Sequence, residues 1–434
     1  MGTDKHLEGL LQFLQQSPTP FHAVANLQAQ LCANGFEILE ETERWQLQPG
    51  KSYVVNRNGS SLVAFRLGKQ PTAETGVRLA GTHTDSPALR VKPRPVIQKQ
   101  GYVQLGVEVY GSALLAPWFD RDLSLAGRVN YRDGEGRLGS GLIDFKRAIA
   151  SIPSLAIHLD RGVNESRSIN AEKQLPAILL QEASDESFDF DSLLLNALKQ
   201  QAEHAGAEKV LSHELLLYDV QAPAQIGLHG EFIASARLDN LLSSYIAVQA
   251  LIESGAEHSS VVVCNDHEEV GSVSAAGAQG TFLKSVLARC LGENNNGAED
   301  LERCMRRSLM LSVDNTHGVH PNFADKHDDR HGPLLNAGPA IKVNANQRYA
   351  SNGDSVALFR ALCEILGVPV QQFVSRADMA CGSTIGPLTA AETGMPAVDL
   401  GVATFAMHSV RELGGSKDPA YLQQVIAGFF NRLV

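Results

Sequence analysis

Val261-Val-Val-Cys264 runs without a polar residue into Asn265-Asp266-His267-Glu268-Glu269-Val270-Gly271. A short apolar run with no alternation predicts a strand buried on both faces, and the charged segment after it predicts a loop at the strand's carboxyl end. Leu309-Met-Leu-Ser-Val313 and Ala397-Val-Asp-Leu400 have the same texture. Asn240 to Glu253 and Ser355 to Leu366 read as amphipathic helices among these runs. Buried strands alternating with such helices give the α/β class, a mixed central sheet flanked by helices.

Toward the N-terminus, Leu7, Leu10, Leu11 and Leu14 recur at helical spacing, and Pro18 and Pro20 end that helix before another begins near Phe21. Short β-rich runs follow at Ser52 to Val55, Ser61 to Phe65 and Val77 to Ala80. The stretch 92–235 differs. It carries alternating strand patterns at Tyr102 to Tyr110 and Gly127 to Tyr131, then a polar, acidic region around 181–206. It reads as an inserted, strand-rich second domain, with 1–91 and 236–434 forming one discontinuous domain. Asn294-Asn-Asn-Gly297 reads as a surface loop.

A chain of 434 residues suits two domains, and 44% hydrophobic with 20% charged residues is a folding composition. The net charge of −11 argues against nucleic acid or an anionic membrane as partner, since both need a basic face. No apolar run approaches the roughly 20 residues that span a bilayer, and no secretory signal is visible. Six scattered cysteines without a CxxC pair are expected to be reduced, which places the protein in the cytoplasm.

Four distant segments put metal-type side chains beyond an apolar strand or at a helix start: Gly81-Thr-His83-Thr-Asp85, Arg237-Leu-Asp239-Asn240, Asn265-Asp-His-Glu268-Glu269 and Ser312-Val-Asp314-Asn-Thr-His317. Phe405-Ala-Met-His408-Ser409 adds another histidine. Each has a bland reading alone, Asp239 as a helix cap and His408 as an ordinary packed residue. Together they should converge where the strands end. Two His, two Asp and a Glu with a second Glu adjacent form a mixed N/O shell suited to zinc, with cobalt or manganese also compatible. Gly134-Glu-Gly-Arg-Leu-Gly139 matches GxGxxG, but no helix follows, so it reads as a turn.

These motifs, with Ser17-Pro-Thr-Pro-Phe-His22, Trp118-Phe-Asp-Arg-Asp122, Pro153-Ser-Leu-Ala-Ile-His158 and Met407-His-Ser409, resemble the aspartyl aminopeptidases, a zinc aminopeptidase family with a phosphorylase-like catalytic fold. The resemblance runs over nearly the whole chain. It implies two divalent metal ions, one held by His83 and Asp314, the second by Glu269 and His408, with Asp239 bridging. It further implies Glu268 as general base, Asp85 as the carboxylate orienting His83, His317 as a donor to the oxyanion, and Lys342 as the cation meeting an acidic first side chain. Read alone, Lys342 would be a strand lysine facing water, and His158 a core histidine of an apolar strand. The family instead implies that His158 reaches a neighbouring subunit's site in a large homo-oligomer, a dodecamer. The expected activity is removal of one N-terminal residue, preferentially Asp or Glu, from peptides. Hydrolysis of N-acyl amino acids and a non-catalytic, metal-stabilised scaffold are the rivals.

Overall fold

In the central strands, successive side chains enter two different cores, as a period of two requires of a sheet covered on both faces. Val262 and Cys264 join Leu311, Val313, Val398 and Leu400 on one face. Val261 and Val263 join Leu79, Met310 and Ala397 on the other. The computed structural model describes residues 2–181, 188–291 and 297–431. Most of the Asn294 to Gly297 stretch, and part of the acidic region around 181–206, lie outside the described residues.

Contacts divide the chain into two units: Met1–Asp85, Pro223–Met407 and Glu412–Val434, and Ser86–Ala222 with His408–Arg411. The first unit is a mixed α/β assembly. Among the described residues its main sheet has nine strands, in the order Glu37–Ile38, Ser52–Arg57, Ser61–Arg66, Ser260–Asn265, Arg78–His83, Leu309–Val313, Ala397–Gly401, Ala340–Val343 and Gln371–Val374. The four central strands, from Ser260–Asn265 to Ala397–Gly401, run parallel. Their carboxyl ends therefore share one edge. The helices Gly2–Gln16, Pro20–Ala33, Leu238–Glu253, Gly353–Leu366 and Asp418–Asn431 supply the core on one face. A second, five-stranded sheet is built from short strands: Ala224–Ile226, Phe232–Ser235, Glu412–Gly415, Ala403–Phe405 and Thr316–His317.

Among the described residues the second unit carries a six-stranded sheet in which every pairing is antiparallel, in the order Leu138–Asp144, Leu123–Asp133, Ala207–Asp219, Ala88–Lys99, Tyr102–Tyr110 and Ala177–Gln181. Helix Phe190–Lys199 buries Leu194 and Leu198 in a core with Val129, Ile143 and Leu215. The Gly134 to Gly139 segment joins two of these strands as a hairpin turn, and Asp133 accepts the backbone N–H of Glu135 and Arg137 there. Among the described residues no helix is long and apolar enough to cross a membrane.

Candidate metal centre

His83 ends strand Arg78–His83 and pairs in register with Asn265, the last residue of its parallel neighbour. Asp314 follows Leu309–Val313, the strand on the other side. Helix Leu238–Glu253 is tied to both strand ends: Ser244 Oγ donates to the His83 carbonyl at 2.8 Å, and Asn240 Nδ2 to the Val313 carbonyl at 2.8 Å. Asp239, at the start of that helix, has non-helical backbone angles, and the Asp239–Asn240 peptide is cis. Its amide N–H donates to Glu412 Oε2 at 2.9 Å. Three chain segments thus deliver His83, Asp239 and Asp314 to one buried point.

The donor set fits a metal on this structure's own distances. His83 Nδ1 lies 3.0 Å from the Asp85 carbonyl and 3.4 Å from Asp85 Oδ1. Both are acceptors, so Nδ1 carries the proton and Nε2 a lone pair. That lone pair stands 3.3 Å from Asp239 Oδ1 and 3.4 Å from Asp314 Oδ1. Among the described residues no hydrogen bond reaches Asp314 Oδ1. Electron-rich atoms this close repel one another unless a cation lies among them. Tetrahedral ligands at 2.0–2.1 Å from zinc are themselves roughly 3.3–3.4 Å apart.

Glu268 and Glu269 lie on a single 3-10 turn between His267, at φ 63°, and Gly271, at φ 99°. Asp85 fixes this turn: Oδ1 accepts the Glu268 N–H and Oδ2 the Glu269 N–H, each at 3.1 Å. Residue 85 therefore faces His83 with both its main-chain carbonyl and its carboxylate, and the same carboxylate holds the two glutamate amides. Carboxylate oxygens of Glu268 and Glu269 come within 4.8 Å of a His83 ring nitrogen and of each other. Burial, with Asp314, Glu269 and Asp85 close by, pushes Glu268 up to about 8 although His83 acts the other way. Burial opposes a charge on His83, but Asp239, Asp314, Asp85 and Glu268 outweigh it and hold its pKa well above the ordinary value. Both shifts express a pocket with more negative charge than it can keep without cations.

Lys342, which the bland reading turned toward water, is 3% exposed, and its ammonium lies 3.3 Å from Asp314 Oδ2. His317 ends the short strand Thr316–His317 on the exposed side and meets Phe373 edge to face at 5.8 Å. His408 falls in the four-residue segment grouped with the second unit. Its Nδ1 donates to the Ser112 carbonyl at 3.2 Å, which leaves the lone pair on Nε2. The reading of His158 as a strand-borne core histidine is corrected: it lies in a turn and is exposed, with Leu155, Ile157 and Leu159 exposed around it.

Two buried acids escape the sequence reading. Glu412 holds the Asp239 amide, and no local pattern marks it. Asp399, fully buried in strand Ala397–Gly401, accepts from Ser312 Oγ at 2.6 Å, Thr384 Oγ1 at 2.5 Å and the Ala350 N–H at 2.5 Å. An acid within an apolar run is costly unless bonded, so Asp399 carried a readable signal.

The sequence pattern of the aminopeptidase I zinc metalloproteases (M18) matches residues 13–430. A probable M18 family aminopeptidase 2 from Ectopseudomonas mendocina (strain ymp) is 57% identical over 425 residues, 98% of each chain. Among solved structures, the Ape4 and Nbr1 complex contains a chain 40% identical, with a TM-score of 0.95 over 99% of this chain and 86% of that one. The S. cerevisiae mApe1 dodecamer is 31% identical, with a TM-score of 0.84 over 98% of this chain and 96% of its own. The buried His–Asp–Asp set at the ends of parallel strands and the match over almost the whole length lead to one conclusion: this chain belongs to the M18 family of zinc metalloproteases and is a metallo-aminopeptidase.

Proposed function

We propose that the chain is a two-metal aminopeptidase that removes an N-terminal Asp or Glu from peptides, and that it works in the cytoplasm as a homododecamer. One observation carries the mechanism: adjacent glutamates, both held by Asp85, stand beside a separate His–Asp–Asp set, so one can ligate while the other moves protons. One metal is assigned to His83 and Asp314, the other to Glu269 and His408, with Asp239 shared. When bound, divalent ions supply Lewis acidity toward water and the scissile carbonyl.

The chain's own groups do the rest. Glu268 takes a proton from the attacking water and returns it to the leaving amine. Burial and the neighbouring carboxylates hold its pKa up, and bound cations would favour its ionised form. His317 donates to the developing oxyanion, and the Lys342 ammonium meets the acidic side chain of the substrate. His158 would serve a neighbouring subunit's site. Leu155, Ile157 and Leu159 are 60%, 45% and 74% exposed around it, an apolar patch suited to cover by another copy. The dodecameric state of the mApe1 relative supports the same assembly.

The test compares an Asp-starting peptide, its Ala-starting counterpart and the N-acetylated Asp peptide on metal-loaded protein. Cleavage of the free-amine Asp peptide is expected to lead. Faster cleavage of the acetylated peptide would replace the aminopeptidase assignment with a deacylase. Glu268→Gln should keep metal and lose several powers of ten in turnover; near-normal turnover would remove Glu268 from the base role.

A further inference from the structure

The segment Ser17-Pro-Thr-Pro-Phe-His22 supplies no ligand to the buried His–Asp–Asp set. Its two prolines alter the end of the preceding helix, Gly2–Gln16. A helical carbonyl accepts the N–H four residues on, and for Leu14 and Gln16 that residue is Pro18 or Pro20, which has none. Side chains take over. Asn26 Nδ2 donates to the Gln16 carbonyl at 2.8 Å. Arg237 Nη2 donates to the Leu14 carbonyl at 3.1 Å and Nε to the Ser17 carbonyl at 3.0 Å, across 223 and 220 positions of sequence. One guanidinium fork thus grips two carbonyls at the negative end of a helix.

Arg237 directly precedes Leu238-Asp239, and its backbone is left-handed, at φ 59° and ψ 29°. A residue with a side chain stays in that region only when its surroundings hold it there. Its carbonyl accepts the Leu241 N–H at 3.2 Å, a bond that spans the two non-helical residues Asp239 and Asn240. The chain therefore enters Asp239 from a residue fixed at both its side chain and its carbonyl, while Glu412 holds the Asp239 N–H. A change of backbone at 237 re-aims the carboxylate two residues on, whose Oδ1 now lies 3.3 Å from His83 Nε2.

We propose that Arg237 is the positioning residue for Asp239, with Ser17-Pro-Thr-Pro20 as the socket that holds its guanidinium. The inference rests on the reading of Asp239 as a shared metal ligand. Arg237 acts through the backbone and not as a ligand. Removing a partner one step behind a metal ligand typically weakens metal binding by about tenfold to a hundredfold.

Two measurements on Arg237→Met test it: competition for zinc against a chelator, and the visible absorption of the cobalt-loaded protein, which reports ligand geometry. Zinc binding weakened about tenfold or more and a changed cobalt spectrum are expected. A purely structural role would lower the Tm of the metal-free protein and leave both readouts unchanged, which would overturn the proposal. Arg237→Gly removes the same anchor at a position where glycine adopts the left-handed backbone freely, so it should weaken zinc likewise. It decides alone if Arg237→Met does not fold. Asp239→Asn, measured alongside, separates the anchor from the ligand reading. Zinc held at parental affinity by Asp239→Asn would remove the shared ligand and the inference with it. Zinc lost from Asp239→Asn but held at parental affinity by the folded Arg237 variants, with an unchanged cobalt spectrum, would overturn the anchor alone.

Discussion

Replacing Asp85 by Asn changes one carboxylate oxygen into an NH2 group at a position with no solvent exposure. The two oxygens now accept the N–H groups of Glu268 and Glu269, each at 3.1 Å. An amide has one acceptor oxygen, so one of those N–H groups must face another donor. Losing a bond to a charged acceptor costs about 1.5–3 kcal/mol. At roughly 1.4 kcal/mol per decade this is about tenfold to over a hundredfold in rate, if the turn that aims Glu268 relaxes by that amount. The loss should fall on kcat rather than KM, because a proton acceptor acts in the transition state and contributes little to substrate binding. Steady-state kinetics and elemental analysis for zinc on one preparation of Asp85→Asn test this together. A kcat within about twofold of the parent at full metal content would refute the reasoning, since the Glu268 turn would then be aimed by something other than Asp85.

Lys342→Met should reduce turnover of Asp- and Glu-starting peptides more than that of Ala-starting ones. Neutral substrates should also lose some rate, because the ammonium 3.3 Å from Asp314 Oδ2 is removed as well; equal losses in a matched series of specificity constants would take Lys342 out of the acid pocket. Gly401→Ala should lower both Tm and zinc stoichiometry. A Cβ there would sit 1.7 Å from the Asp314 carbonyl oxygen, a backbone obstacle, and overpacking typically costs about 1–3 kcal/mol. Unchanged zinc content in the variant would mean that the strand yields without moving Asp314.

The central strands were legible because burial on both faces erases alternation, and Val261 to Cys264 lies inside the strand Ser260–Asn265. The convergence of His83, Asp239 and Asp314 was legible for a related reason, since each follows a strand or opens a helix. The five-stranded sheet was not: its strands are two to four residues long, too short for any period to show. Glu412 belongs to that sheet, and its bond to Asp239 spans 173 positions, so only the fold could reveal it. His158 misled by its setting. Leu155, Ile157 and Leu159 alternate as a half-buried strand would, yet within one chain that apolar side is left uncovered.

Lys342 is where the net charge, the metal centre and the proposed selectivity meet. Strand Ala340–Val343 turns Ile341 into the main core and Lys342 to the opposite face, with Ala340, Tyr349 and Phe373 forming a small cluster beside it. The ammonium lies 5.5 Å from the centre of the Tyr349 ring; burial holds the pKa of Asp399 above the ordinary value, and the Lys342 charge acts against that rise. Asp314 thus takes a direct contact from this ammonium on one side, while the Tyr349 ring lies near it on another. The ammonium has three donors, and only one is taken by Asp314, so an acidic side chain can be received without releasing that aspartate. Preference for an acid therefore needs no attraction from the molecule as a whole, which at −11 repels one. A buried contact of this kind is screened little by salt, whereas surface steering fades beyond a Debye length of about 8 Å at physiological ionic strength. The ratio of Asp- to Ala-peptide specificity constants should accordingly hold or rise slightly as salt is added, because added ions weaken only the long-range repulsion. A steep fall in that ratio would place the acid-reading charge on the surface instead of at Lys342.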